Sequence, residues 1–182
     1  MTRRRLFIKL MLVLAAAAAS AGELIIESDQ VLVTWQATRG GKQIAGVSRS
    51  LEWSLLTREN GEARVELRVP IGSFDSGHEE MDSLLRASAE SARYPFVEVE
   101  GMVRGERFEG TVSLHGRTRP LVTSVIMARS GRQLTTHTSF SIALDEFGIQ
   151  VPEVDNRVAV EFDARLLRNP MAVISVGTVG SN

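Results

Sequence analysis

Three histidines are the residues of this chain best suited to acid–base or metal chemistry, because the chain has no cysteine. His78, His115 and His137 lie more than twenty residues apart, whereas a short histidine metal motif places its two ligands about four residues apart. We therefore expect no metal site and no catalytic residue. The enzymatic alternative is a secreted hydrolase or isomerase in which His115 works with an acidic partner such as Asp82 or Asp145. No Gly-x-Ser-x-Gly elbow supports a serine nucleophile.

The charge balance argues against a nucleic-acid partner. The 182 residues include 21 basic and 22 acidic side chains, and phosphate neutralisation requires a basic excess. Phosphate-cradling glycine motifs are also missing from the sequence. The composition, 43% hydrophobic and 24% charged, is that of a globular domain with a core of ordinary size.

The first 21 residues have the pattern of a secretory signal peptide. A basic start at Arg3–Arg5 precedes an apolar stretch that ends in a small-residue cleavage site, Ala19-Ser20-Ala21. An uncleaved membrane anchor is the alternative, but residues 10–19 are fewer than the roughly 20 needed to span a bilayer. Cleavage removes four basic and no acidic residues, which leaves a formal charge of −5. We expect a periplasmic or secreted protein with no transmembrane segment after cleavage.

Alternating apolar and polar residues predict strands through most of the chain. Residues 63–71 show the pattern most clearly, with Val65, Leu67 and Val69 separated by charged side chains. Short turns such as Asn60-Gly61 favour antiparallel neighbours. The pattern predicts eight strands, at residues 31–35, 51–55, 63–71, 97–99, 108–114, 121–127, 134–144 and 158–166.

One segment, residues 79–91, has helical spacing, and the pair Asp82 and Arg86 on it suits an exposed ion pair. A single helix cannot cover the apolar face of eight strands. We therefore predict an all-β fold, a closed eight-stranded antiparallel β-barrel with one short helix between strands 3 and 4. A two-sheet sandwich is the alternative. Residues 22–168 would form the barrel and residues 169–182 a C-terminal tail.

A series of short motifs, in this order and spacing, resembles the YceI-like polyisoprenoid-binding family. The motifs are Ser73, then Asp82-x-x-Leu85-Arg86, then Tyr94-Pro95, then Gly110-x-x-x-Leu114-His115-Gly116-x-Thr118-x-Pro120, then Asp145-x-Phe147-Gly148. The resemblance covers residues 24–168 and is most specific in the segment around His115. It implies a lipocalin-like barrel, exported to the periplasm, whose interior holds an isoprenoid chain such as that of a quinone or polyprenyl lipid.

The chain departs from the family pattern at three places. Gln30 stands where members commonly have serine, and Leu84 where they have histidine. The aromatic residue usual in the second strand is missing at Gly46-Val47-Ser48. These departures affect the expected ligand more than the expected fold.

The inward side chains of the predicted barrel are apolar, which suits a hydrocarbon chain and would exclude a sugar or nucleotide. Helix residues Met81, Leu84 and Leu85 would cap one mouth. The alternative is that side chains fill the interior completely, in which case the barrel would serve only as an interaction scaffold. The predicted ligand-binding residues are Trp35, Leu67, Met81, Leu84, Leu85, Val99, Val112, Leu114, Phe140, Ile142, Val160 and Phe162. No cofactor is expected beyond this lipid, and the sequence leaves the oligomeric state open.

Overall fold

The computed structural model describes residues 23–57, 61–131, 133–169 and 177–179. The predicted signal peptide and Asn60 of the predicted hairpin turn lie outside these residues. The strands are β1 Glu23–Arg39, β2 Lys42–Ser48, β3 Leu51–Thr57, β4 Ala63–Pro70, β5 Phe96–Arg104, β6 Arg107–Leu114, β7 Arg117–Ser130, β8 Gln133–Ala143, β9 Arg157–Asn169 and β10 Gly177–Val179; helix α1 spans Glu79–Ser88.

All the strands belong to one antiparallel sheet in the order β10-β3-β4-β5-β6-β7-β8-β9-β1-β2. Consecutive strands from β3 to β9 are neighbours, including β4–β5 and β8–β9, which are joined by longer connections rather than by short turns. The prediction of a closed eight-stranded barrel is wrong in two respects. The sheet has nine long strands and a tenth of three residues, and in the described part of the chain no ladder joins β2 to β3 or β10. The fold is a curled, incompletely closed sheet.

Side chains, rather than backbone hydrogen bonds, cover the seam between the two ends of the sheet. Val31 and Val33 of β1 pack with Leu51 and Trp53 of β3 in one apolar cluster. The free edge of β2 pairs through Val47 with the loop residue Asp75, in two backbone hydrogen bonds of 2.8 and 2.9 Å. The sheet thus curls round an interior although its ladder is open.

Strand β2 was not predicted, because its inward positions carry small or polar residues. Gly46 lies opposite Trp35, and a Cβ at Gly46 would collide with the indole ring of Trp35. Ser48 is buried, and its Oγ lies 2.6 Å from Ser73 Oγ. An apolar-alternation criterion cannot detect a strand whose inner face accommodates the side chains of its neighbour.

Helix α1 lies between β4 and β5, as predicted, but ends at Ser88 rather than Ser91. The turn that ends it includes Glu90, with a φ of +46°. Asp82 does not pair with Arg86. Its carboxylate is buried and accepts hydrogen bonds from the backbone N–H and the hydroxyl of Ser76, at 3.0 and 2.7 Å. Asp82 thereby fastens the loop that precedes the helix.

The predicted C-terminal tail contains β10, whose Gly177 and Val179 lie opposite Trp53 and Leu51 of β3. Within the described ranges, no helix has both the length and the apolarity that a bilayer crossing requires.

Candidate functional site: an apolar cavity inside the curled sheet

The interior of the curled sheet contains a cavity of about 260 Å³. This volume lies just below the range of about 300–1,000 Å³ that is typical of small-molecule sites. Side chains from β1 and from β3 to β9 line the cavity, and no charged residue is among them. Ten of the predicted ligand-binding residues lie in its wall: Trp35, Leu67, Leu85, Val99, Val112, Leu114, Phe140, Ile142, Val160 and Phe162.

The other two predicted residues, Met81 and Leu84, do not line the cavity. Met81 is buried, and its Sδ lies 3.9 Å from Nη1 of Arg39. Leu84 packs against the core cluster that contains Phe147 and Ile149. On α1 only Leu85 reaches the cavity wall, because adjacent helical residues point about 100° apart.

Three threonine hydroxyls are the polar side chains of the wall. Thr123 and Thr138 each donate to a backbone carbonyl on the neighbouring strand, at 2.8 Å. The hydroxyl of Thr136 makes no hydrogen bond to any other residue that the structure describes. In the wall opposite Gly46, the indole Nε1 of Trp35 is buried and likewise has no partner there. The cavity therefore offers very few polar groups, which favours an almost wholly apolar occupant.

The two ends of the cavity differ. At one end, Ile71, Ala89, Ile149 and Val151 are all buried and close the interior beneath α1. We call this the closed end. At the opposite end, where β7 joins β8, the wall includes Met127, which is 38% exposed although its side chain belongs to the inner face. We call this the open end.

The sequence reasoning missed two groups of wall residues. Ile149, Val151 and Val154 come from a segment without regular secondary structure, whose apolar residues gave no periodic signal. Thr136 and Thr138 occupy inward positions of β8, but the predicted ligand-binding set was chosen from apolar side chains and so did not include them. Counting the strand register outward from Phe140 would have placed both inside.

The motif around His115 forms a turn at the closed end. His115 and Gly116 have φ values of +52° and +70°, the conformation of a two-residue turn between β6 and β7. A Cβ at Gly116 would collide with the ring of Tyr94, and that ring meets the His115 imidazole edge-on at 4.9 Å. The Nδ1 of His115 donates to the carbonyl of Phe147 at 2.9 Å. His115 and Gly116 do not line the cavity, although the preceding Leu114 does, so the turn of the most specific motif builds the closed end.

The acidic neighbour of His115 is Glu90, not Asp82 or Asp145. Nε2 of His115 lies 3.2 Å from a Glu90 carboxylate oxygen, although the angles do not give a hydrogen bond. His115, but not Glu90, lines a second cleft, which is distinct from the cavity inside the sheet.

The remaining histidines lie elsewhere. His137, on the outer face, has Nδ1 2.8 Å from Asp163 Oδ1, and His78 directly precedes α1. The described residues contain no cluster of three potential metal ligands.

Comparison with known proteins identifies similar domains. A family model described as the YceI-like domain matches residues 21–166. No curated protein matches the chain. BcnA from Burkholderia cenocepacia is similar in structure, with 13% identity and a TM-score of 0.67 over 77% of this chain and 98% of BcnA.

Two further solved structures are similar. A polyisoprenoid binding domain from Saccharophagus degradans, described as implicated in plant cell wall breakdown, has 15% identity and a TM-score of 0.67 over 80% of this chain and 98% of that domain. The Campylobacter jejuni YceI protein has 12% identity and a TM-score of 0.54, over 68% and 85% of the two chains. At these identities the likeness establishes the fold alone.

Proposed function

Because the chain belongs to the YceI-like domain family, we propose that it is a non-enzymatic binding protein for an isoprenoid or other long apolar chain. The observation that carries this proposal is the cavity itself. Among the described residues its wall is almost wholly apolar and carries no charge, and at one end the wall residue Met127 is partly exposed. A single slender hydrocarbon chain fits such a space, and its remainder or its polar head would leave through the open end.

The energetics favour this kind of ligand. Burying roughly 500 Å² of prenyl surface contributes on the order of 12 kcal/mol at about 25 cal/mol per Å², while association costs roughly 4 to 15 kcal/mol. Micromolar affinity requires about 8 kcal/mol net. A preformed cavity keeps the cost of association low, since few side chains have to be ordered on binding.

A polar group of the wall supports one orientation of the ligand, with its head at the open end. The unpaired hydroxyl of Thr136 lies on β8 opposite Met127 at the open end, so a ligand with an alcohol or carbonyl head would place its oxygen there. The predicted signal peptide supports a periplasmic or secreted location, in which the protein would carry or sequester its ligand across water.

Tryptophan fluorescence tests the proposal directly, because both tryptophans of the chain, Trp35 and Trp53, line the cavity. Titration of the purified protein with farnesol or geranylgeraniol in vesicle-free buffer is expected to change the emission saturably, at micromolar concentrations. Val99→Phe, which adds volume inside the cavity, should weaken binding at least about tenfold. The adjacent substitution Glu100→Phe, on an exposed outer-face residue, is the matched control and should leave binding unchanged. Equal affinity in both variants would contradict a site inside the sheet.

A further inference from the structure

The C-terminal part of β7 projects beyond its neighbour β6 at the open end, whereas β8 is paired with β9 along its whole length. Pairing between β6 and β7 ends at Arg107 and Ser124, and the N–H of Val125 donates to the carbonyl of Glu106 in the β5–β6 turn. Residues 126–130 continue for about 17 Å, at roughly 3.4 Å per residue. In the described chain this part of β7 pairs with β8 alone.

This projecting segment carries apolar side chains on both faces of the sheet. Ile126 lies on the outer face and is 64% exposed, and Met127 lies on the inner face at the mouth of the cavity. A strand with one face in water ordinarily carries apolar side chains only on its other, buried face. We define the open rim as Ile126 and Met127.

We propose that the open rim is the surface through which this protein contacts a lipid bilayer when its ligand passes between membrane and cavity, an inference that rests on the proposed function. Met127 makes the rim continuous with the cavity wall, so a chain leaving the bilayer there would not cross water. Transfer of an apolar side chain such as Ile126 from water to the acyl boundary of a bilayer is favourable, as it is for interfacial anchors. The unpaired backbone edge of β7 restricts the contact to interfacial depth, where water still reaches peptide groups.

Several charged side chains near the rim are paired with one another, and zwitterionic vesicles isolate the contribution of the apolar side chains. Arg107 lies 2.7 Å and Arg104 3.6 Å from carboxylate oxygens of Glu109. Beside Ile126, His137 is paired with Asp163. These described groups are paired within the chain, and we therefore assign the attraction to a membrane to the apolar side chains of the rim.

The test uses Ile126→Ser, with Val122→Ser as the matched control. Val122 lies on the same outer face of β7 and is 54% exposed, but it is paired with Glu109 of β6 away from the rim. Neither residue lines the cavity. Geranylgeraniol is transferred from phosphatidylcholine vesicles to the protein, and tryptophan fluorescence follows the rate. Ile126→Ser should slow transfer about tenfold, Val122→Ser less than twofold, and both should bind farnesol in vesicle-free buffer like the wild type.

A second readout does not depend on ligand binding. Because the chain has no cysteine, Ser130→Cys can carry a single environment-sensitive dye near the rim, and Glu80→Cys the same dye on α1 at the closed end. Ligand-free phosphatidylcholine vesicles should shift the emission to the blue at position 130 only, and Ile126→Ser should abolish that shift.

Three results would overturn the proposed rim: equal transfer rates in the two serine variants, no dye shift at position 130, or a dimer of the wild type that Ile126→Ser disperses. A dye shift at position 130 without farnesol binding would support the rim and refute the proposed function instead.

Discussion

Nδ1 of His115 lies 2.9 Å from the carbonyl oxygen of Phe147, which joins the β6–β7 turn to the segment that follows β8. A carbonyl can only accept, so Nδ1 carries a proton. This bond and the edge contact with Tyr94 bring three parts of the chain together at the closed end. His115, the residue that the enzymatic alternative singled out, thus connects these three parts of the chain.

His115→Ala is expected to lower the free energy of unfolding by about 2 kcal/mol. It leaves the buried Phe147 carbonyl without a partner and places alanine at a positive φ. His115→Asn should recover part of the loss, because asparagine tolerates this backbone conformation and can donate. Urea denaturation measures both. The control, His137→Ala, removes an exposed pair and should cost less than about 1 kcal/mol; equal losses for the two alanine variants would contradict the structural role.

Gly46→Ala should destabilise the protein by about 1–3 kcal/mol, because the added methyl group collides with the Trp35 ring. The displaced indole should also change its emission maximum. Gly72→Ala is the control: its Cβ meets nothing within 4 Å, and its unfolding midpoint should match that of the wild type. If Gly46→Ala has the wild-type midpoint, Trp35 does not occupy the position described.

Asp82→Ala should cost about 2–3 kcal/mol, since it removes two hydrogen bonds from the loop at Ser76. Asp82→Asn keeps a carbonyl acceptor and should cost less. Arg86→Ala should lie within about 0.5 kcal/mol of the wild type, because the Arg86 guanidinium donates to Ser83 rather than to Asp82. A double-mutant cycle between Asp82 and Arg86 is expected to show no coupling energy; a coupling above about 0.5 kcal/mol would restore the ion pair that the sequence predicts.

Leu85→Ala and Leu84→Ala should separate ligand binding from stability on α1. Leu85 lines the cavity, so its truncation should weaken geranylgeraniol binding about threefold to tenfold. Leu84 packs against the core, so Leu84→Ala should lower the free energy of unfolding without changing the affinity of the folded protein for geranylgeraniol. Fluorescence titration beside urea denaturation distinguishes the two effects. Identical affinity losses would mean that both residues act through the packing of the helix.

The sequence allowed the cavity wall to be predicted better than the topology, for physical reasons. Period-two alternation places Leu67 and Phe140 inside whatever the order of the strands. Apolar alternation does not predict strand β2, because its inward positions Gly46 and Ser48 carry a small and a polar residue instead of large apolar side chains. Strands β2 and β3 are separated by only two residues and yet do not pair, and apolar alternation does not indicate which consecutive strands pair.

The seam between β1 and β3 bears on the range of cargo that this fold can take. In a closed barrel, strand number and stagger determine the radius. Here Val33 and Trp53 belong to one cluster of side chains that spans the seam, so separating these side chains would widen the interior without breaking the β1–β9 or β3–β4 ladder. The width of the interior would then depend on side-chain packing at the seam, whereas a continuous ring of backbone hydrogen bonds would fix it.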